Sequence, residues 1–401
     1  MYDFISDVLE YRNFKVEVSE ATQNLLNIVD KSRTSSFSWK GQFSPQFVEF
    51  LLEEYTETSS ILDPFCGSGT VIHESLLNKK SKICGIDINP AAIILAKFSE
   101  YSKFKLIERK EIFSATVTKI FNIINEQNLQ IELLNVNCLQ DFKDDHLAQC
   151  ILLNAFKDKS EIKKEVLLKS IQYIEKMLLN LPYSPNSLLY IQEGDSRQLP
   201  FSKNEFDLII TSPPYINVFN YHHNYRKAIE ALDKLPLIIA KSEIGANRKY
   251  RANRFKIVAQ YCIDMALSLN EMNRVTRDNG DIVLIVGNLS TVKGQVFYNG
   301  EIIYLISKLL GSFSFQKKLE RNFINRYGHI IKEEIIFLKN SHSLNYSFDE
   351  IVSLGRDVAN FVLNNALINV SDQHPTYVEI KEAIESIYEI MPGAFIKENQ
   401  Q

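Results

Sequence analysis

Three stretches of this chain carry residue types that chemistry needs. The first is ITSPPY (210–215), which ends FDLIITS, an apolar run that reads as a buried β-strand. Neither Pro213 nor Pro214 has an N–H to give to a sheet ladder, and each holds φ near about −65°, so the backbone after Ser212 is stiff and its carbonyls are free to accept. A plain turn does not need a hydroxyl, a bare carbonyl and an aromatic face together, and Ser212, Pro213, Pro214 and Tyr215 present all three at a strand end. Taken alone, the tetrapeptide also fits a structural turn. The second stretch is DPFCGSGT (63–70), between a short strand and a helix, where a parallel-sheet protein binds its ligand. Gly67 and Gly69 admit positive φ and close approach of a ligand to bare backbone. Thr70 and Val71 stand where a phosphate loop would carry Lys and Ser or Thr, and the spacing misses the dinucleotide fingerprint, so neither ligand class is expected. The third element is a pair of acids at later strand ends. Asp87 in GIDINP is placed to accept both hydroxyls of a ribose, and Asp195 in EGDSRQLPF to meet an adenine amino group. Each acid alone fits a helix N-cap or loop anchor equally well. Three acids and two glycines at successive strand ends favour a ligand.

The elements that must hold these residues follow from periodicity. The chain has 401 residues, 45% apolar and 23% charged, enough for one large α/β core with additions or for two domains. Strands are expected at 59–65, 81–88, 187–195 and 206–212, with helices from Gly69 and from Pro90 between the first two. Residues 101–185 lack proline until Pro182 and read as a helical insertion. After a polar stretch (216–255) come a helix over 257–275, an Asp278-Asn279-Gly280 turn, a strand to Gly287 and a helix over 301–310. Strands near 313–319 and 330–338 follow, then a helical tail from about 346. The net charge of −4 gives no global pull toward nucleic acid, so such binding needs a local basic surface. Cysteines 66, 84, 138, 150 and 262 form no CxxC pair and have no His at metal spacing, which favours free buried thiols without zinc or disulfides. The N-terminus lacks a basic start before an apolar run, and no stretch holds about 18 uninterrupted apolar residues. A cytoplasmic protein without a membrane partner is expected.

In order, DPFCGSGT, the acid of GIDINP, GDSRQLPF and ITSPPY resemble the motifs of S-adenosylmethionine-dependent DNA amino-methyltransferases. The Thr-Ser-Pro-Pro-Tyr form is similar to the cytosine-N4 subgroup of restriction-modification systems. The resemblance spans roughly residues 40–340 and implies a Rossmann-like class I methyltransferase fold. That fold is α/β, a mostly parallel seven-stranded sheet flanked by helices, here with a helical insertion and a helical C-terminal tail. It implies cofactor motifs within 1–100, the insertion at 101–185, a catalytic part at 186–340 and a helical extension at 341–401. KGQFSPQFVEFLL resembles the segment that packs on the methionine end of the cofactor, which gives Phe43, Ser44 and Pro45 a lining role. By the same likeness Asp63, Phe65, Gly67, Gly69 and Thr70 surround the methionine moiety, Asp87 the ribose and Asp195 the adenine. Two features depart from the pattern: many cytosine-N4 enzymes place SPPY before the glycine motif, and the insertion separates the second and third sheet strands.

The resemblance also gives ITSPPY its chemistry. The exocyclic amine of a base is a poor nucleophile because its lone pair is delocalised into the ring. Acceptors at the Ser212 hydroxyl and the Pro213 carbonyl favour a more pyramidal nitrogen, and Tyr215 stacks on a base rotated out of the duplex. No covalent intermediate is needed, in keeping with the lack of any Pro-Cys dipeptide. Double-stranded DNA is the expected partner, with an endonuclease of the same site as a further candidate. Contacts are expected along 217–256 from Tyr221, His222, Arg226, Lys241, Arg248, Lys249, Arg251 and Arg254, where Glu243 is the one acid of the second basic run. A further basic stretch, 316–332, extends that surface. His222 and His223 read as polar DNA-facing residues, since no third metal ligand is in sight. An adenine-N6 DNA enzyme fits the same acceptors. An RNA guanine-N2 enzyme fits less well, since such enzymes usually carry Asp or Asn before the prolines and a separate N-terminal domain, while only about sixty residues precede Asp63.

Overall fold

Apolar runs without a polar face mark strands covered on both sides, and β1 (Ser60–Asp63) and β6 (Phe206–Thr211) are of this kind. The computed structural model describes residues 2–126, 133–216, 224–232, 236–245, 250, 252–324, 328–341 and 344–395. In chain order the other strands are β2 (Lys82–Asp87), β3 (Leu133–Asn135), β4 (Glu161–Lys163), β5 (Leu188–Glu193), β7 (Thr276–Gly287), β8 (Leu289–Val292), β9 (Gln295–Tyr298), β10 (Phe313–Ile324) and β11 (Ile330–Asn340). Seven of them form one sheet in the order β10-β11-β7-β6-β1-β2-β5. The pairs from β5 across to β7 are parallel, and β11 and β10 add antiparallel at one edge. This is the mostly parallel, Rossmann-like α/β fold the motifs implied.

The strand period of two sorts side chains between the covered faces. Leu62, Ile209, Ile282, Leu284 and Ile336 pack with helices Phe255–Val275, Asn299–Leu310 and Phe348–Ile368. Their neighbours Ile61, Leu208, Ile210, Val283 and Ile335 pack on the other face against helix Pro45–Glu53. From β1 the chain proceeds through β2 to β5 on one side, and only then returns to β6 on the other. The order therefore reverses between β1 and β6, and a crevice opens at their carboxyl ends.

Residues 101–185 contain helices Leu106–Glu126, His146–Phe156 and Lys164–Asn180, packed around Ile120, Phe142, Ile151, Phe156 and Ile174. Buried Arg109 donates to the carbonyls of Leu178, Leu181 and Pro182, the orphan acceptors at the end of the last of these helices. The block is not purely helical, because β3 and β4 pair as an antiparallel ribbon. Strands of three residues are too short to show a period. The β8–β9 ribbon, with strands of four residues, is scarcely longer and also escaped the periodicity. The Asp278-Asn279-Gly280 turn lies inside β7 as a bulge: Thr276 pairs with Phe206 and Asp281 with Leu208, and Asn279 takes φ 62° between them. The tail is helical as expected, over Phe348–Ile368 and Pro375–Glu385. All five cysteines are buried, and no described helix is long and apolar enough to cross a membrane.

Candidate active site

The crevice at the strand ends is a cleft with ≈ 830 Å³ of empty space, part of it open to solvent. Its lining includes Trp39, Phe43, Asp63, Phe65, Gly67, Thr70, Asp87, Asp195, Ser212, Pro214 and Glu243, so residues from all three motifs meet in one place.

Asp63 ends β1 and is buried. Its Oδ1 accepts from the Phe65 N–H at 3.1 Å and from the Thr211 hydroxyl at 2.6 Å. Burial outweighs these bonds and pushes the carboxyl up to about 7. Asp87 ends β2, where Oδ2 accepts from the Gly67 N–H at 2.9 Å and Oδ1 from the Asn89 N–H at 2.8 Å. It is thus the anchor of the glycine turn, and part of the acceptor capacity of its two oxygens stays available to a ligand. Burial raises its carboxyl to about 6. Among the described residues, no Lys, Arg or His forms an ion pair with either acid.

The two glycines of the turn do different jobs. Gly67 has φ 50°, and a Cβ there would stand 3.0 Å from the Trp39 indole. Gly69 has φ 88° and caps helix Thr70–Leu77, but a Cβ on it would meet Ala96 Cα at 2.9 Å. Its smallness serves packing on helix Pro90–Ala96, and it is Gly67, Ser68 and Thr70 that line the cleft. Trp39 stacks on Tyr225 with ring centroids 5.9 Å apart.

Asp195 lines the cleft as expected, yet it is not a bare acid. The Arg197 guanidinium donates to Oδ1 at 2.9 Å and to Oδ2 at 2.6 Å, and the Arg197 N–H adds a third bond to Oδ1. Arg197 also donates to Asp264 at 2.6 Å, a fully buried pairing. Sequence spacing did not reveal this arginine, although it lies two residues on, in GDSRQLPF.

After β6, Ser212 and Pro214 line the cleft and Pro213 is buried. The Ser212 hydroxyl lies 3.3 Å from the Tyr215 hydroxyl, which donates a long bond of 3.4 Å to Glu333 Oε1. The Tyr215 ring is half-buried against Gly287 at the end of β7, where a Cβ would approach it to 3.1 Å. Arg321 holds Glu333 at 2.6 Å and lies over the Phe47 ring.

Ser44 and Pro45 line a neighbouring cleft instead, because helix Pro45–Glu53 starts there and turns them away; Phe43 faces both clefts. This second cleft has ≈ 1970 Å³ of empty space, part of it open, with Lys31, Lys157 and Arg321 in its lining and no acid among its described lining residues. Of the basic residues expected to meet DNA, Arg226 pairs with Glu230 at 2.8 Å, Lys241 lies near the end of helix Pro236–Ser242, and Arg254 precedes helix Phe255–Val275. Tyr221, His222, Arg248, Lys249 and Arg251 lie outside the described residues. In the described part of 316–332 three cations meet acids, while Lys332 is exposed. Lys317 pairs with Glu54, Lys318 is buried beside Glu334, and Arg321 holds Glu333, since β10 turns these cations onto acids of neighbouring elements.

Four residues in the cleft lining or just behind it were not singled out from sequence for what they do here. Trp39 is the chain's one tryptophan, two residues ahead of the quoted GQFSP. Thr211 belongs to ITSPPY but read only as strand. Arg197 is described above. Glu243, read as an acid within a basic run, is 2% exposed and lines the cleft.

The signature of the Eco57I family, described as restriction-modification methylase, matches residues 81–288, just over half the chain. A second signature, described as DNA methylase, matches residues 2–98. The Type II methyltransferase M.BsoBI of Geobacillus stearothermophilus is 27% identical over 54% of this chain, and the match spans 56% of that relative's length. Similar solved structures include a SAM-dependent methyltransferase from Methanosarcina mazei, at 12% identity and TM-score 0.35, covering 73% of this chain and 97% of that one. Another is the rRNA methyltransferase aviRa from Streptomyces viridochromogenes, at 11% identity and TM-score 0.35, covering 85% and 97%. The chain belongs to the Eco57I restriction-modification methylase family.

Proposed function

We propose that this protein transfers a methyl group from S-adenosylmethionine to the N4 amine of a cytosine rotated out of duplex DNA, at a specific site also read by an endonuclease. The observation that carries the reading is the bond from Thr211 to Asp63, which ties the TSPPY segment to the glycine turn within one cleft. The family and its DNA methylase signature, with a Type II methyltransferase as relative, support DNA as the substrate class.

The cleft's donor set fits this cofactor. Asp63 is buried and Asp87 half-buried, neither has an ion-pair partner among the described residues, and beyond the hydrogen bonds the protein gives them both can take a positive charge and further donors. A ligand with an ammonium group, a sulfonium and a ribose diol supplies both. Asp63, Phe65, Gly67 and Thr70 would hold its methionine end with Phe43, Asp87 the ribose and Asp195 the adenine. Because Arg197 already takes both Asp195 oxygens, that acid has only its remaining lone pairs to offer. When bound, the cofactor supplies an electrophilic methyl group.

The chain's own residues act on the amine. The Ser212 hydroxyl and the Pro213 carbonyl accept from its two N–H bonds and orient the nitrogen, at positions made rigid by the prolines. Tyr215, steadied by Glu333, bounds the base site and offers its ring for stacking. The same acceptors suit an adenine-N6 amine, which is the second reading; Ser ahead of Pro-Pro favours cytosine. Segment 217–256 and the second cleft with Lys31 and Lys157 would follow the DNA backbone. The test is calorimetry of cofactor binding with Asp87→Ala. A loss of about 1–3 kcal/mol is expected for a buried charged acceptor, and unchanged affinity would remove the assignment.

A further inference from the structure

The C-terminal segment 391–395 reaches the cofactor cleft through Arg197. The guanidinium of Arg197 is fully buried, and after its bonds to Asp195 and Asp264 its remaining N–H groups donate to main-chain carbonyls: Gly393 at 3.0 Å, Ala394 at 2.9 Å and Ser242 at 3.3 Å. The segment answers with donors of its own. The Gly393 N–H donates to Asp264 Oδ1 at 3.0 Å, and the Ala394 N–H to the Lys241 carbonyl at 3.0 Å. The Phe395 ring covers the guanidinium at 4.5 Å. Upstream, Arg356 on helix Phe348–Ile368 donates to the Ile390 carbonyl at 2.9 Å and fixes where the segment begins.

These bonds join two walls of one cleft. Asp195 and Ser196 line it from one side, and Ser242, Glu243 and Ile244 from another. Arg197 and the tail span both. A buried guanidinium keeps its geometry only while its donors are matched, and an unmatched one is costly. Without the tail carbonyls, Arg197 would have to draw in water or turn, and the Asp195 carboxylate it holds would turn with it.

We infer that residues 393–395 act as a strap that holds the adenine end of the cleft in its binding geometry, so that docking of the C-terminal segment and binding of the cofactor favour each other. The inference rests on the cofactor reading above and makes Gly393 and Phe395 positioning residues. Such coupling is reciprocal: whatever the strap adds to cofactor affinity, the cofactor adds to strap docking.

The 401-residue chain provides the test. A Cβ at position 393 would stand 2.9 Å from Arg197 Nη1 and 3.1 Å from Gln260 Nε2, so Gly393→Val forces the strap off its seat. Titrating S-adenosylmethionine into this variant should show affinity reduced by roughly fivefold or more, the lower end of common couplings, with circular dichroism unchanged. Hydrogen exchange on the wild-type chain should show the amides of 393–395 slowed by S-adenosylmethionine, which a merely structural tail would not show. If Gly393→Val fails to fold, Phe395→Ala, which removes only the cover over Arg197, should lower affinity by roughly two- to fivefold. A folded Gly393→Val chain with a smaller loss, or tail amides indifferent to S-adenosylmethionine, overturns the strap alone. A wild-type chain that does not bind S-adenosylmethionine overturns the strap and the proposed function together.

Discussion

The Thr211 hydroxyl donates to Asp63 Oδ1 at 2.6 Å and joins the last residue of β6 to the last residue of β1, where the strand order reverses. The SPPY segment begins one residue after Thr211 and the glycine turn follows Asp63, so this bond ties the two motifs together. Thr211→Val keeps the shape and removes the donor. The loss of a hydrogen bond to a charged group should cost about 1.5–3 kcal/mol in cofactor binding and transfer combined, while Thr211→Ser restores most of it. Calorimetry with single-turnover kinetics would check this.

Cofactor affinity should depend on pH. Burial holds Asp63 at about 7 and Asp87 at about 6, above the ordinary carboxylate range, and a cationic ligand favours their charged forms. Affinity should therefore be flat above about pH 7 and fall as pH drops through 7 and then 6. The free protein should show the opposite slope in stability. Between the ordinary range and about 7 the native state keeps protons that the unfolded chain has released, so this contribution is lost as pH rises. Binding isotherms and urea melts across pH 5–8 would test the two signs.

Trp39 is the sole tryptophan and lies against Gly67 in the cleft lining. Its emission should shift on addition of S-adenosylmethionine, saturate with the calorimetric affinity and need a higher concentration to do so in Asp87→Ala. Gly67→Ala should weaken binding too, since Cβ meets the indole and φ is positive. A fluorescence titration of the three proteins would decide it.

What the residues revealed in advance follows from how local their signals are. Glycines, prolines and strand-end acids announce themselves within a few positions, so the β1–β2–β6 layout and the meeting of Asp63, Asp87 and Ser212 were legible. Arg197 was not, because its partners Asp264, Gly393 and Ala394 stand far off in sequence. Periodicity likewise shows that β10 is a strand but not that Lys317 and Lys318 meet Glu54 and Glu334 across space, so a run of cations read as a surface for DNA. The Asp278-Asn279-Gly280 signal marks a break in the ladder and not a turn between elements; the register with Phe206 and Leu208 shows it to be a bulge within β7.

Lys31 and Lys157 offer a clean test of where DNA lies, since both line the second cleft. Reversing both to Glu should lower the slope of log affinity against log salt by about 2, one for each lost phosphate contact, and leave cofactor binding unchanged. Lys317→Glu serves as a control: it breaks an exposed pair with Glu54 worth about 0–1 kcal/mol and should leave the slope alone. Filter binding across a salt series would measure all three.

The central claim is methyl transfer to an exocyclic amine of DNA with Ser212 and Pro213 as its acceptors, and nucleoside mass spectrometry tests it most directly. Duplex DNA would be incubated with the protein and S-adenosylmethionine carrying an isotopic methyl label, then digested to nucleosides, with Ser212→Ala run in parallel. The account predicts labelled N4-methylcytosine from the wild-type protein and far less from the folded variant. Labelled N6-methyladenine would overturn the base assignment and keep the acceptors, whereas no labelled base in DNA, with label entering RNA instead, would contradict the account.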